Sequence, residues 1–146
     1  KAKINIYFSI YYFTDNRIGE AIIKAKKRGV KVSGVLDEDC LKINRNKKNY
    51  LIKNLLNNDI DLNYIKLGQK GLMHHKFAII DNSIVITGSF NWTVRADKFN
   101  NENLVIIHSQ EIADKFLIEF KELLWKSNKV IIYPKNNFKE KHVEAA

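Results

Sequence analysis

The sequence is poor in the residues that staple or interrupt a chain. Its one cysteine, Cys40, excludes an internal disulfide and any zinc cluster built on cysteines. Cys40 stands in the acidic segment DEDC with no histidine beside it, where an inert thiol is expected rather than a nucleophile. There are one proline and six glycines, and no linker rich in either divides the 146 residues. No apolar run approaches the ~18 residues of a membrane-spanning helix, and the opening KAKINIYF lacks the charged-then-apolar layout of a signal peptide. Acidic residues are also few, 16 against 25 Lys and Arg, which leaves a formal charge of +9. Such a surplus favours polyanionic partners, nucleic acid or an anionic membrane surface; the plain alternative is a solvated basic face.

What is present is globular. At 45% hydrophobic and 28% charged residues the composition is neither disordered nor membrane-like. A chain of this length buries about 68–70% of its unfolded surface, so one domain over residues 1–146 is expected. It is expected to be soluble, and cytoplasmic unless a leader was removed upstream of Lys1; the absence of an initiator Met leaves an upstream segment open. The closing KHVEAA is either native or appended.

INIYFSIYYF (Ile4 to Phe13) is uncharged and rich in β-branched and aromatic residues, as a strand buried on both faces is. Thr14 and Asp15 offer an N-cap for NRIGEAIIKAKKRG, which carries Ile18, Ala21, Ile22 and Ala25 at helical spacing and stops at Gly29. VKVSGVLD (Val30 to Asp37) completes a β-α-β unit and predicts a parallel pair with a right-handed crossover. A polar loop rich in Asn and Lys follows, then a short helix over Asn49 to Asn58 and a third strand over Ile60 to Leu67. HKFAIID and SIVITG predict two strands joined by a tight turn at Asp81, Asn82 and Ser83. Asn103 to His108 is another strand, Ile112 to Lys126 an amphipathic helix that covers a sheet face, and the end holds one strand-like piece in VIIYP before a charged tail.

The candidate chemistry lies in GLMHHKFAIIDNSIVITGSFNW (Gly71 to Trp92) and just after it. In an extended strand alternate residues share a face, so His74 and Lys76 point one way while His75 and Asp81 point the other. Asp81 is therefore expected at the strand end as a hydrogen-bond acceptor rather than in a pocket with His74. Gly88 lets backbone approach a ligand closely, and the Ser89 hydroxyl and Asn91 amide can donate to anionic oxygens. With Lys76 they would cradle a tetrahedral oxyanion. Glu102, opening the next strand, supplies a carboxylate. Each feature alone has an ordinary explanation, a satisfied surface histidine or simple turn chemistry, but their conjunction is specific. No H-x-x-x-H or paired-carboxylate cluster lies near His74, so no metal ligand set is read here.

His74-x-Lys76-x4-Asp81-x6-Gly88-Ser89-x-Asn91 resembles the HKD signature of the phospholipase D superfamily, and Phe90, Trp92 and Thr93 complete it in the form of its bacterial nuclease branch. YYFTDNRIGEAIIKAKKRGVKVSGVLD resembles the family's strand-helix-strand entry, and the likeness runs from about Lys3 to Lys126. Relatives usually carry a further strand and helix upstream. The resemblance implies a mixed β-sheet flanked by helices, an α/β fold with one HKD motif per chain. It also implies phosphodiester cleavage through a covalent phosphohistidine, without a metal or other cofactor. One histidine attacks phosphorus and a second protonates the leaving oxygen, so two must flank the phosphate. His108 and His142 lack the motif's context and His75 faces away. The expected solution is a homodimer whose two His74 copies share one site, with Lys76, Ser89 and Asn91 on the phosphoryl oxygens. Relatives suggest that Glu102 hydrogen-bonds the far nitrogen of His74.

Nucleic acid, DNA or RNA cut with little sequence preference, is the first candidate substrate. The charge and the basic segments AKKRG, KINRNKKN and KLGQKG favour it, and Trp92 and Phe99 are available to stack on bases or to pack inside. A phospholipid such as cardiolipin is the second and less favoured, since the motif does not distinguish the esters. The third is non-enzymatic, a binding or dimerisation module, or else the chain is the nuclease part of a larger restriction-type protein.

Overall fold

The computed structural model describes residues 1–44, 50–68 and 71–131. The tail with His142, most of VIIYP and the centre of KINRNKKN lie outside the described residues.

The apolar opening forms β1 (Asn5–Ile10), and the polar step at Asp15 starts α1 (Asn16–Lys27), where the Asp15 carboxylate accepts from the Arg17 N–H at 2.9 Å. β2 (Lys31–Asp37) then lies parallel to β1, and β3 (Asp61–Ile65) parallel to β2, as the β-α-β reading expects. Between them run α2 (Glu38–Asn44) and α3 (Leu51–Asn57). The first of these replaces the expected loop. Asp37 accepts from the Asp39 N–H at 2.9 Å, and Lys42 pairs with Glu38 and Asp39 one turn back. Seven residues are too few for a readable period. Cys40 consequently sits in a helix, fully buried, with the Phe13 N–H 3.3 Å from its sulfur.

β4 (Lys76–Ile80) and β5 (Ile84–Gly88) form the expected hairpin. Asp81 and Asn82 have φ of 52° and 53°, the pair of left-handed residues that a two-residue turn of matching twist requires. α4 (Val94–Phe99), capped by Thr93, was not foreseen; β6 (Leu104–His108), α5 (Gln110–Trp125) and the two-residue β7 (Asn128–Lys129) follow. Among the described residues seven strands form one mixed sheet in the order β6-β5-β4-β1-β2-β3-β7.

Both faces are apolar at its centre. On one, Phe8, Ile10, Val32 and Leu36 pack under α1 and α3 residues Ile22, Leu51, Ile52 and Leu55. Gly34 stands opposite Phe8 in the parallel register, where a Cβ would lie 2.2 Å from the ring, so this glycine makes room for a fully buried phenylalanine of the core. On the other face α5 lays Ala113, Phe120 and Leu123 over Phe77, Ile79 and Val85, with Tyr7 stacked on Phe120 at 5.2 Å. These are the residues of the predicted amphipathic stripe and its neighbours.

Candidate active site

β1 and β2 run toward one end of the sheet, and the register brings the rest of the site there. Lys76 opens β4 beside Ile10, Thr87 lies beside Phe77, and Gly88 faces Leu104 at the start of β6. This is the carboxyl end of the parallel strands, where open α/β sheets bind ligands.

His74 stands just before β4, in backbone held from both sides. The Asp37 carboxylate at the end of β2 accepts from the Met73 N–H at 2.8 Å, and the Tyr11 N–H donates to the His75 carbonyl at 2.9 Å. The Lys76 ammonium donates to the His74 carbonyl at 2.7 Å and lies 3.2 Å from His74 Nδ1. Tyr11 walls the pair, its ring 4.7 Å from the imidazole and 5.4 Å from Lys76 Nζ. Burial first, then the Lys76 charge, push the His74 pKa below its ordinary value, while Asp37 opposes them. Burial likewise lowers Lys76, against the opposing charge of Glu102. His74 is thus biased toward the neutral form that can attack an electrophile.

Gly88 ends β5 with φ of 151°, and a Cβ there would fall 2.3 Å from the Asn103 carbonyl oxygen. The close approach that it permits is to this neighbouring backbone, where a ligand had been expected. Ser89 follows in a tight lattice. Its N–H donates to the Asn103 side chain at 2.8 Å, its Oγ accepts from the Asn103 N–H at 3.0 Å, and the hydroxyl donates to Glu102 Oε2. Asn100 Nδ2 donates to the other Glu102 oxygen at 3.0 Å, and these two bonds hold the Glu102 pKa low. Among the described residues the hydrogen bonds of Glu102 therefore run to Ser89 and Asn100, and the bond expected to His74 is not among them. Asn91 Oδ1 accepts from the Tyr12 N–H at 3.3 Å, which turns the amide's donor end away from that backbone. Trp92 exchanges backbone bonds with Tyr12, Thr14 and Asp15, so the GSFNW segment is fastened to the end of β1.

The other expectations divide on parity. His75 points to the opposite face, 3.1 Å from Glu119 of α5. Asp81 lies at the far end of β4, where its carboxylate accepts from the N–H groups of Lys3, Ile4 and Asn5 at 2.7–3.1 Å. It pins the start of β1 rather than its own turn. Partial burial alone would raise the Asp81 pKa, but the three donors outweigh it and lower the value. Stability from this contact is complete above the unfolded carboxyl value of about 3.9 and is lost as pH falls through the lower folded value. Asp81→Asn is expected to cost about 1–3 kcal/mol at neutral pH and to flatten the acid limb of the stability profile, as chemical denaturation at stepped pH would record.

Trp92 packs on Phe8 and Phe13 at 5.2 and 5.0 Å, so it belongs to the core; Phe99 is 79% exposed. The AKKRG cluster ends α1 beside the start of β1, where Arg28 reaches the Ala2 carbonyl. A 12-residue helix places it about 18 Å from the His74 end. Two site residues escaped the sequence reading, Tyr11 and Asp37. Asp37 ends β2 and Tyr11 directly follows β1, in the unit that carries the fold, where a polar group at the close of an apolar run is a usable signal.

On the α5 side, an open groove of about 510 Å³ begins at His74 and His75. Ile65, Leu67, Leu72, Met73 and Leu123 line it, with Lys66 and Lys126 at hand. Among the described residues no three His, Cys, Asp or Glu side chains gather as a metal ion would require, and no helix is long and apolar enough to cross a membrane.

The family profile described as cardiolipin synthase, PLD-like domain, matches residues 1–125. A phospholipase D of Rickettsia conorii is 43% identical over 117 residues, 80% of this chain and 56% of its own length. A mitochondrial cardiolipin hydrolase of Canis lupus familiaris is 35% identical over 127 residues, 86% of this chain and 46% of its own length. The chain thus spans about half the length of the curated relatives it matches. The crystal structure of a phospholipase D family member, Nuc from Salmonella typhimurium, superposes with a TM-score of 0.77 at 32% identity, covering 88% of this chain and 83% of that one. With the profile matched over residues 1–125 and the mixed sheet superposed in this way, the chain belongs to the phospholipase D superfamily.

Proposed function

We propose that this chain is a phosphodiesterase that cuts nucleic acid, DNA foremost and RNA by the same chemistry, at a site shared by two copies. The observation that carries it is the His74-Lys76 pair, a histidine biased to neutrality within 3.2 Å of an ammonium. An incoming phosphate competes for Lys76 and draws it from the imidazole. A nitrogen of His74 then attacks phosphorus, and the protonated His74 of the second copy gives its proton to the leaving oxygen. Water, deprotonated by that second imidazole, releases the phosphohistidine. Lys76, Ser89 and Asn91 hold the phosphoryl oxygens while charge develops on them. Glu102 serves as a positioning residue, fixing the Ser89 hydroxyl and supporting the Lys76 charge. No metal or cofactor enters this scheme. The +9 charge favours a polyanion, although AKKRG at the far end of α1 contributes only at long range.

Phospholipid is the second reading. The groove beside His74, apolar with lysines at hand, would suit an acyl chain next to a scissile phosphate, and the cardiolipin hydrolase relative is named for such a substrate.

The test offers plasmid, single-stranded DNA, RNA and cardiolipin vesicles to the protein in EDTA. Cleavage of nucleic acid, falling by orders of magnitude as salt rises from about 50 to 200 mM, is the expected result. Phosphatidate release with intact nucleic acid favours the lipid. Dependence on an added divalent ion overturns the metal-free scheme.

A further inference from the structure

The backbone that carries His74 into the site is gripped one residue earlier. Met73 is 3% exposed and is held at both ends: its N–H donates to Asp37 Oδ2 at 2.8 Å, and its sulfur accepts from the Ser9 hydroxyl at 3.0 Å. Ser9 belongs to β1 and Asp37 ends β2, so this residue is fastened across the parallel pair at the centre of the sheet. The other Asp37 oxygen accepts from the Asp39 N–H at 2.9 Å, a bond that also caps the start of α2. Asp37 is itself only 4% exposed. Both of its oxygens are committed to backbone, and its charge is fixed where those two N–H groups hold it.

Several charged or titratable groups meet at the imidazole. Lys76 comes from β4, Tyr11 from the segment just after β1, Asp37 from the end of β2 and His75 from the next position. The groove that begins here adds Lys66 and Lys126 along its walls. Burial and then Lys76 disfavour the imidazolium, Asp37 favours it, and His75 adds a smaller push against it. Glu102, the carboxylate expected to face His74, bonds Ser89 and Asn100 instead. The negative charge that bears on the imidazole therefore comes from the end of β2.

We propose that Asp37 is the positioning residue of His74: it fixes the backbone through the Met73 N–H, and its charge offsets the Lys76 ammonium so that one imidazole can keep the proton that the other must lack. The inference rests on the two-histidine reading above and says how one residue can fill both roles. The attacker must be neutral and the acid protonated, yet the two copies have the same sequence. Beside Lys76 alone, a half-buried imidazole gives up its proton too readily to serve as an acid near neutral pH. Asp37 restores part of that hold without competing for the phosphate, since its oxygens already serve Met73 and Asp39. Its removal should therefore fall on kcat rather than on KM.

The experiment compares wild type, Asp37→Asn, Asp37→Ser and Asp39→Asn. Asparagine and serine each leave an oxygen that can cap the Asp39 N–H, so α2 should form, as far-UV circular dichroism and thermal melting check; either variant that folds decides the matter. NMR titration of the His74 imidazole, assigned by its loss in His74→Ala, is expected to move further below the ordinary histidine value in both, because the charge that favoured the imidazolium is gone. In EDTA-resistant cleavage of plasmid, kcat at neutral pH should fall by about ten- to a hundredfold with KM little changed. The optimum of the pH profile should shift to lower pH in the same sense. Asp39→Asn, which removes a charge that faces Lys42, should leave titration and rate unchanged. An imidazole that titrates as in wild type, or a lost rate with the optimum in place, overturns the proposal and leaves Asp37 a cap of α2. The two-histidine reading fails separately: a wild-type profile with a single limb overturns it whatever the variants show, and with it the acid role that Asp37 supports.

Discussion

Replacing His74 by alanine is expected to remove phosphodiester cleavage altogether, by about four orders of magnitude or more, as loss of a nucleophile that acts as part of a unit does. The fold should survive, because the backbone at this point is fastened by Asp37, through the Met73 N–H, and by the Tyr11 N–H, and neither bond uses the imidazole. The sharper measurement uses mixtures. When wild type and His74→Ala subunits are unfolded together, refolded in equal amounts and allowed to pair at random, a site that needs both imidazoles retains only about one quarter of its activity. Independent sites would retain about one half, and that outcome would sink the shared-site scheme. A mixed dimer has either the attacker or the acid, never both, and so fails at one of the two proton demands. For the same reason wild type should show a bell-shaped pH profile. Burial and Lys76 depress the imidazole pKa, so the acidic limb belongs below the ordinary histidine value of about 6.5.

The sequence was most legible where periodicity and register act over many residues. Strand parity separated His74 from His75 even though both lie just before β4, for His74 stands beside Lys76 and His75 beside Glu119 of α5. It also kept Asp81 out of the pocket, although the donors it serves lie at and just before the start of β1, nearly eighty residues away in sequence. Such a contact has no local signal. α2 and α4 were missed because each is held by a cap and ion pairs over one or two turns, too short for an apolar stripe. Gly88 and Glu102 were found by type and misjudged in reach. Both are engaged with the residues around Ser89, and only the β5–β6 register brings Asn103 within contact of Gly88. The basic segments show the limit of composition as a guide. AKKRG adds to the net charge, but α1 carries it to the end of the sheet opposite His74.

Lys76→Met is the second substitution with a large expected effect, and it separates two tasks of one side chain. The ammonium stands where it can meet phosphoryl oxygens, and the burial that lowers its pKa also strengthens its pull on a developing negative charge. Its loss should lower kcat by about 10²–10³, the usual cost of removing one such donor. Arginine should recover little, because a planar guanidinium does not reproduce a compact ammonium between the His74 carbonyl and Nδ1. The second task is electrostatic. Lys76 is the next cause, after burial, of the depressed His74 pKa, so its removal should move that pKa upward while burial still holds it below the ordinary value. Titration of the His74 imidazole by NMR in Lys76→Met would record the shift, and any residual activity should show its acidic limb displaced to higher pH in the same sense. A drop in kcat with no movement of the imidazole would leave Lys76 as a phosphate ligand only. An unchanged kcat would remove it from the machinery, and the phosphate would then have to be held by Ser89 and Asn91 without a cation from this strand.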